Sequence, residues 1–342
     1  MKCVKTTEAV GQVLCHDITQ IIRGVTKDAV FRKGHVIREE DIPVLLSVGK
    51  EQIYIWENDE TMLHENDAAQ ILYELCAGEH MHPSEIREGK IELIADCDGL
   101  LKVDGELLKK VNSLGEMMIA SRHGNTVVKK GDKLAGTRVI PLVIKKDKME
   151  EAKAVCGGRH IFSLLPLKAK KAAILTTGSE VYHHRIEDTF TPVLMEKLSE
   201  YGCEVIFHEV YEDAPQQVTD GCLRAIEAGA QLVLCTGGMS VDPDDRTPFA
   251  IKNTGADIVT YGAPVLPGAM FMLAYMEKSN KRIPVMGLPG CVMYAKRTVF
   301  DLVLPRIAAD IRITEQDINA MGEGGLCLSC DVCTYPNCGF GK

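Results

Sequence analysis

Residues Leu234 to Pro248 read LCTGGMSVDPDDRTP, and this stretch decides the fold. The apolar run Gln231 to Cys235 has the length of a buried strand bounded by turn residues. It stops at Thr236, Gly237, Gly238 and Ser240, and the carboxylates Asp242, Asp244 and Asp245 follow. Glycines let a backbone approach a ligand closely, and loop amides and hydroxyls can bond an anion. Clustered carboxylates suit a hard cation such as Mg²⁺ bridging to phosphate. An acidic surface turn has the same composition, so the loop needs company before it reads as a site.

Company comes from two further loops. TTGSE (Thr176 to Glu180) follows the apolar run Ala172 to Leu175, with the same order of strand, Thr-Gly and carboxylate. Glu212 and Asp213 follow the strand CEVIFHEV and precede Pro215, where Asp213 could also cap the next helix. Between these runs lie helix patterns. Asp188 can cap a helix that runs to Tyr201 and ends at Gly202. Pro215 to Ala228 places Val218, Cys222 and Ile226 on one apolar face. A short helix over Thr247 to Asn253, strands near 257–260 and 283–288, and a last helix from Val292 to Asp310 complete the series. This alternation predicts a three-layer, doubly wound α/β domain over 171–312 with a mostly parallel sheet. Ligands in such folds sit at the carboxyl ends of the strands, where all three loops fall. Pro267-Gly268 and Pro289-Gly290 add two tight turns, the second placed to open a helix and offer amides to phosphate.

Residues 1–160 read differently, as a mixed, β-rich region with a possible division near 60–85. Gly11 to Ile22 and Gln52 to Trp56 hold β-like runs, with a short helix ending at Gly49 between them. Asn66 to Cys76 has helical spacing with Asn66 or Asp67 as cap. Short apolar runs split by Gly, Asp and Asn from Gly89 to Ile144 suggest a small all-β module, followed by a helix over Asp147 to Val155. Cys156 to Lys171 reads as a linker.

The 342 residues suffice for two or three domains. A net charge of −9 argues against general nucleic-acid binding. No apolar run approaches the length of a membrane span, and MKCVKTTEAVGQ lacks a signal-peptide core, so a cytoplasmic location is expected. Of the 13 cysteines, those from Cys3 to Cys291 are scattered, which suits free thiols in a reducing compartment. The others crowd the end, in GEGGLCLSCDVCTYPNCGFGK. Cys327, Cys330, Cys333 and Cys338 follow C-x₂-C-x₂-C-x₄-C, so 313–342 reads as a Cys-rich metal-binding tail. Such spacing lets one centre collect four thiolates, and both Zn²⁺ and an iron–sulfur cluster fit. The pairs His80/His82 and His183/His184 read as exposed polar residues.

TTGSE, RIEDT, EDAP, TGGMSVDPDDRTP, PVLPGAMF and GLPGC, in that order, resemble the molybdopterin-binding domain of molybdenum-cofactor biosynthesis proteins: the adenylyltransferases, the molybdenumtransferases and gephyrin. FRKGHVIREEDIPVLLSVGKEQIYI resembles a further piece of the molybdenumtransferases, and the whole chain resembles molybdopterin-binding proteins of anaerobic bacteria. The resemblance implies molybdopterin as ligand, an adenylylated intermediate with ATP or AMP, Mg²⁺, and either adenylylation or molybdate insertion. It implies catalytic roles for Glu180, Asp213, Asp242 and Asp245. It implies binding roles for Thr177, Gly178, Asp188, Gly237, Gly238, Ser240, Thr247, Pro267, Gly268, Pro289 and Gly290. It also implies a homo-oligomer, and a molybdoenzyme client is possible as partner.

The departures are specific. The molybdenumtransferases carry Lys where this chain has Ala269, and Asn-Pro where it has Cys291 and Val292. Their N-terminal Pro-Phe-Asp-x-Ser-x-Met-Asp-Gly-Tyr is absent. Cys291 is then either a soft contact near a dithiolene or a small buried side chain. A non-catalytic pterin carrier or sensor, and a related fold acting on another nucleotide, remain alternatives.

Overall fold

The computed structural model describes residues 2–55, 59–240, 242 and 245–342. Asp244 and Trp56, both read above, lie outside the described residues. Two compact units result. One comprises 1–96, 103–122 and 131–163; the other comprises 97–102, 123–130 and 164–342.

The first unit is β-rich with helices inserted. Its largest sheet pairs Met81–Pro83, Lys90–Ala95, Lys133–Val139 and Met117–Ser121, in that order and antiparallel throughout. The helix Glu65–Cys76 buries Ala68, Ala69, Leu72 and Cys76. It starts one residue earlier than its spacing suggests, because the His64 ring, not Asn66 or Asp67, accepts the amide of Asn66. A helix at Gly105–Asn112 was not legible; Asp104 caps it by accepting the Leu107 amide. The supposed linker contains a strand, Phe162–Pro166, in a three-stranded sheet with Gly99–Val103 and Thr126–Val128 that falls mainly in the second unit. A separate small core gathers Leu14, Ile18, Ile37, Leu45 and Ile53.

The second unit is the doubly wound α/β domain. Its strands are β1 (Lys171–Thr177), β2 (Glu204–Tyr211), β3 (Leu232–Thr236), β4 (Asp257–Tyr261), β5 (Met272–Lys278) and β6 (Lys281–Leu288). The sheet order is β2-β1-β3-β6-β5-β4. β2, β1, β3 and β6 are parallel, and β5 and β4 add an antiparallel edge. β1 from Ala172 to Leu175 and β3 from Leu232 to Cys235 are fully buried. Continuous apolar runs are what a parallel sheet covered on both faces requires.

The helices are α1 (Phe190–Ser199), α2 (Pro215–Glu227), α3 (Thr247–Asn253) and α4 (Val299–Ala308). One face of the sheet packs Ile174, Leu234 and Leu288 with residues of α1 and α4. The other packs Leu175, Val233 and Val285 with residues of α2 and α3. β5 was missed because Met272 to Tyr275 is buried on both sides and shows no alternation.

The expected single helix from Val292 to Asp310 is two pieces. A turn, Cys291–Tyr294, ends at extended Ala295, and α4 restarts behind Thr298. Thr298 and Asp301 form a capping box, a local bond pattern that nucleates a new helix. Residues 313–342 lie in this same unit, with Met321 and Phe340 buried in its core. Among the described residues, no helix is long and apolar enough to cross a membrane.

Candidate active site

The chain runs from β1 outward to β2 and then returns past β1 to β3, so the winding direction reverses between β1 and β3. In an open α/β sheet such a reversal leaves a crevice at the carboxyl ends. Three loops meet there. The β1 loop opens with Gly178 and Ser179, the β2 loop carries Glu212 to Ala214, and the β3 loop begins with Gly237 and Gly238. They line a cleft of about 800 Å³ with Thr177, Glu180, Asp242 and Asp245. A narrower recess shares Thr177 and Asp213 and adds Pro215, Val218, Arg246 and Thr247.

The loops are tied to one another. Ser179 donates to Asp213 Oδ2 through both its amide and its hydroxyl, each at 3.0 Å. Asp213 therefore bridges two loops; α2 begins behind Ala214 with no side-chain cap, so the capping alternative is not realised. His183 Nε2 sits 2.9 Å from Glu212 Oε1, a second link between the same loops. The Gly178 amide donates to the Tyr211 carbonyl at 3.2 Å. Thr177 Oγ1 donates to the Thr236 carbonyl at 3.0 Å and lies 3.3 Å from Thr247 Oγ1. Asp245 Oδ2 accepts the Asp242 amide at 3.2 Å.

Gly237 is the tightest point. Its φ is +80°, and a Cβ there would lie 2.2 Å from the Thr177 carbonyl oxygen. No side chain fits without moving β1. Gly237→Ala is expected to cost about 1–3 kcal/mol, as overpacking typically does. Gly290 is the contrast, with φ −53° and open space around its Cα. Gly290→Ala should change stability by less than about 0.5 kcal/mol, as a surface substitution does. Urea midpoints of the two variants check both; equal shifts would contradict the close approach at Gly237.

The eight residues Thr177, Gly178, Glu180, Asp213, Gly237, Gly238, Asp242 and Asp245 thus come together in one cleft. Thr247 borders it through the adjoining recess. Ser240 is exposed and outside the lining. Pro289 and Gly290 lie at the end of β6, where their carbonyls accept amides of the turn Cys291–Tyr294. Pro267 and Gly268 pack elsewhere: the Pro267 carbonyl accepts the Val299 amide, and a Cβ at Gly268 would lie 2.5 Å from Val299. They seat α4. Cys291 is half-buried, and burial pushes its thiol up, which favours a small packed side chain over a thiolate contact.

Asp188 is engaged in the fold. It accepts the amides of Phe190 (2.9 Å) and Thr191 (3.0 Å) at the start of α1, and the hydroxyls of Thr191 and Thr176. Burial alone would raise its pKa, but the Thr191, Phe190 and Thr176 hydrogen bonds outweigh it and hold the carboxyl below its ordinary value. A depressed folded pKa adds stability above the unfolded value, about 3.9 for aspartate, and loses it as pH falls through the folded value. Asp188→Asn should therefore be less stable than wild type at pH 7, with the gap narrowing below about pH 4. Denaturant titrations at both pH values read this; a gap that widens in acid would refute it.

The cleft suits a cation-bridged phosphate. Glu180, Glu212, Asp213, Asp242 and Asp245 line it with no basic side chain among the described lining residues, and a bare phosphate would be repelled. The carboxylates do not form a closed cage, since among the described residues no three His, Cys, Asp or Glu side chains gather as a metal site. Mg²⁺ is commonly held in this open way, by one or two carboxylates, water and substrate phosphate. Sequence reading gave Ser179 no separate role and read His183 as an exposed polar residue; the serine beside Gly178 was the available signal, whereas His183 gains its link only through Glu212.

The fold and cleft define an α/β domain with an acidic, glycine-lined crevice at the sheet's switch point. Residues 173–309 match the family described as "Probable molybdopterin binding domain". Residues 3–57 match a domain of unknown function. A Bacillus velezensis protein provisionally named competence-damage inducible is 33% identical over 86 residues, 25% of this chain and 20% of that protein. The molybdopterin molybdenumtransferase of Synechococcus elongatus is 26% identical over 161 residues, 45% of this chain and 36% of that enzyme. The molybdenum cofactor biosynthesis bifunctional protein of the same organism is 31% identical over 85 residues, 25% and 27% of the two chains. The chain thus spans only about a fifth to a third of these relatives' length. Among solved structures, the tungsten cofactor synthesizing protein MoaB from Pyrococcus furiosus aligns at 21% identity over 41% of this chain and 92% of that one, with TM-score 0.35.

Proposed function

We propose that this protein binds molybdopterin in the cleft formed by the β1, β2 and β3 loops and acts on it as a Mg²⁺-dependent transferase of molybdenum-cofactor biosynthesis. The observation that carries the reading is the pairing of a glycine-lined strand-end crevice with five carboxylates, Glu180, Glu212, Asp213, Asp242 and Asp245, on three successive strand-end loops. Mg²⁺ in this place would neutralise phosphate charge and polarise the reacting phosphoryl or molybdate oxygen. Glu180, Asp213, Asp242 and Asp245 would hold it. Gly178, Gly237 and Gly238 would let the ligand lie against the backbone, and the Ser179–Asp213 link would keep two loops in register. Catalysis here is electrostatic positioning, with no residue required as a covalent nucleophile.

Adenylyl transfer and molybdate-driven adenylate release share this chemistry. Anaerobic binding of molybdopterin and of adenylylated molybdopterin with Mg²⁺, followed by assay of nucleotide products, separates them. Formation of the adenylylated pterin from ATP supports the first, and AMP release on adding molybdate supports the second. Tight binding with neither product overturns the transferase reading and leaves a carrier, in line with Ala269 and Cys291 at the departed positions. Failure to bind either pterin overturns molybdopterin as the ligand.

A further inference from the structure

The last residues fold back on themselves. The Gly341 amide donates to the Gly324 carbonyl at 2.9 Å, closing 325–340 into a loop that contains Cys327, Cys330, Cys333 and Cys338. Both feet of the loop are fixed. The Cys327 amide donates to the Leu266 carbonyl at 2.8 Å, and the Leu266 amide to the Gly325 carbonyl at 2.8 Å. On the other side, Tyr335 donates its hydroxyl to the Asp301 carbonyl at 3.0 Å, its ring lies 5.1 Å from the Arg297 guanidinium, and Phe340 is buried.

The crown of the loop is tied less, through its carbonyls: Lys296 donates to the Cys330 carbonyl at 3.5 Å, and the Asn337 amide to the Thr334 carbonyl at 2.7 Å. Residues 328–334 are all exposed, and Leu328 and Val332 are 78% and 77% exposed. The described backbone hydrogen bonds include none donated by an amide of 328–334. The lysine ammonium of Lys296 reaches the Asp331 carbonyl at 2.7 Å from outside. Short segments without an apolar core are ordinarily held by disulfides or a metal. All four thiols are free. Cys327 and Cys338 stand half-buried on the fixed feet, and Cys330 and Cys333 ride on the exposed crown.

We infer that this closed loop is a metal site whose four thiolates, Cys327, Cys330, Cys333 and Cys338, bind either one zinc ion or one iron–sulfur cluster. The four thiols are not gathered in this structure; Cys327 and Cys338, packed against the core at the feet, would supply two of the ligands. The crown is unencumbered enough to swing the other two inward, and loading orders it, as metal binding orders other small thiolate-rich segments. Binding releases thiol protons, so affinity rises with pH. The site is separate from the cleft and stands whether or not the molybdopterin reading does.

The test uses the full chain, purified anaerobically. One portion is titrated with Co²⁺ as a spectroscopic stand-in for zinc, and another is reconstituted with Fe²⁺ and sulfide. Expected is one tetrathiolate centre per chain, seen as cobalt–thiolate charge-transfer and tetrahedral d–d bands or as iron–sulfur absorption with matched iron and sulfide. The preferred centre is the one that survives desalting against chelator. Loading should also slow proteolytic cleavage within 328–334 by at least about tenfold, the shift expected when an open loop becomes ordered. Cys330→Ser and Cys333→Ser, at exposed positions, should each lower retained metal more than tenfold while the melting profile of the apo chain stays the same. Cys3→Ser, exposed in the other unit, should change nothing. Retention of neither metal, or equal retention in the Cys330 and Cys333 variants, overturns the inference.

Discussion

Asp245→Asn is expected to lower turnover of the proposed adenylylation or molybdate-insertion step by on the order of 10²–10³-fold, the usual loss when one preorganised electrostatic group is removed. Folding should be untouched. Asp245 Oδ2 serves the local structure by accepting the Asp242 amide at 3.2 Å, and the amide oxygen of asparagine can accept the same bond. What the variant loses is negative charge in the cleft proposed to hold Mg²⁺. The charged groups among the described lining residues are carboxylates, which repel one another and gain from a shared cation. Removing one weakens cation binding, so excess Mg²⁺ should rescue part of the loss. Unchanged turnover in Asp245→Asn at limiting Mg²⁺ would take Asp245 out of the mechanism.

Lys197→Met should destabilise the α/β unit by about 3–5 kcal/mol, the usual penalty for removing one partner of a buried ion pair. Lys197 on α1 is nearly buried, and its ammonium lies 2.8 and 3.0 Å from the two oxygens of Asp301 on α4. It also donates to the Lys296 carbonyl at 3.1 Å. Asp301 is 3% exposed and cannot turn to water. Arg297, 2.9 Å from Asp301 Oδ1, remains in the variant and places the expected loss toward the lower end. Methionine fills the volume, so the effect reports charge more than cavity. A fall in melting temperature of roughly 6–12 °C corresponds to about 3 kcal/mol in a unit of this size. A shift below about 2 °C would show that Arg297 and the Thr298 amide suffice for Asp301.

The same pair marks the boundary of what sequence reading can reach. Lys197 and Asp301 are 104 positions apart, and nothing in either neighbourhood names the other. Sequence reading placed Asp301 inside one continuous helix, although it closes the capping box that restarts α4 after a break. The antiparallel edge was equally hidden. β4 reads as a strand from its own residues, but β5 is buried on both faces and carries no period of two. Elements whose signal is local were legible. α3 has the bounds its sequence suggests, and β1, β2, β3 and β6 differ from expectation only at their ends.

For the site, the loops were legible and their mutual placement was not. Glycine, hydroxyl and carboxylate after a strand are local facts, and in the structure Gly178, Asp213, Gly237, Asp242 and Asp245 line one cleft. The similar-looking Pro267-Gly268 turn went elsewhere, to seat α4 against Val299. Pro-Gly chemistry specifies a turn without saying what the turn faces. By itself, the sequence of this protein determined the strand–helix alternation, the parallel core of the sheet and the acidic, glycine-rich character of its strand ends, because these follow from side-chain periodicity and backbone freedom over a few residues. Only the tertiary structure decided that β1 and β3 lie side by side at the reversal of winding, that Ser179 and Asp213 lock two loops together, and that the cysteine segment closes at Gly324 and Gly341. Each of those pairings is set by the packing of whole elements, which brings together groups that no local pattern connects.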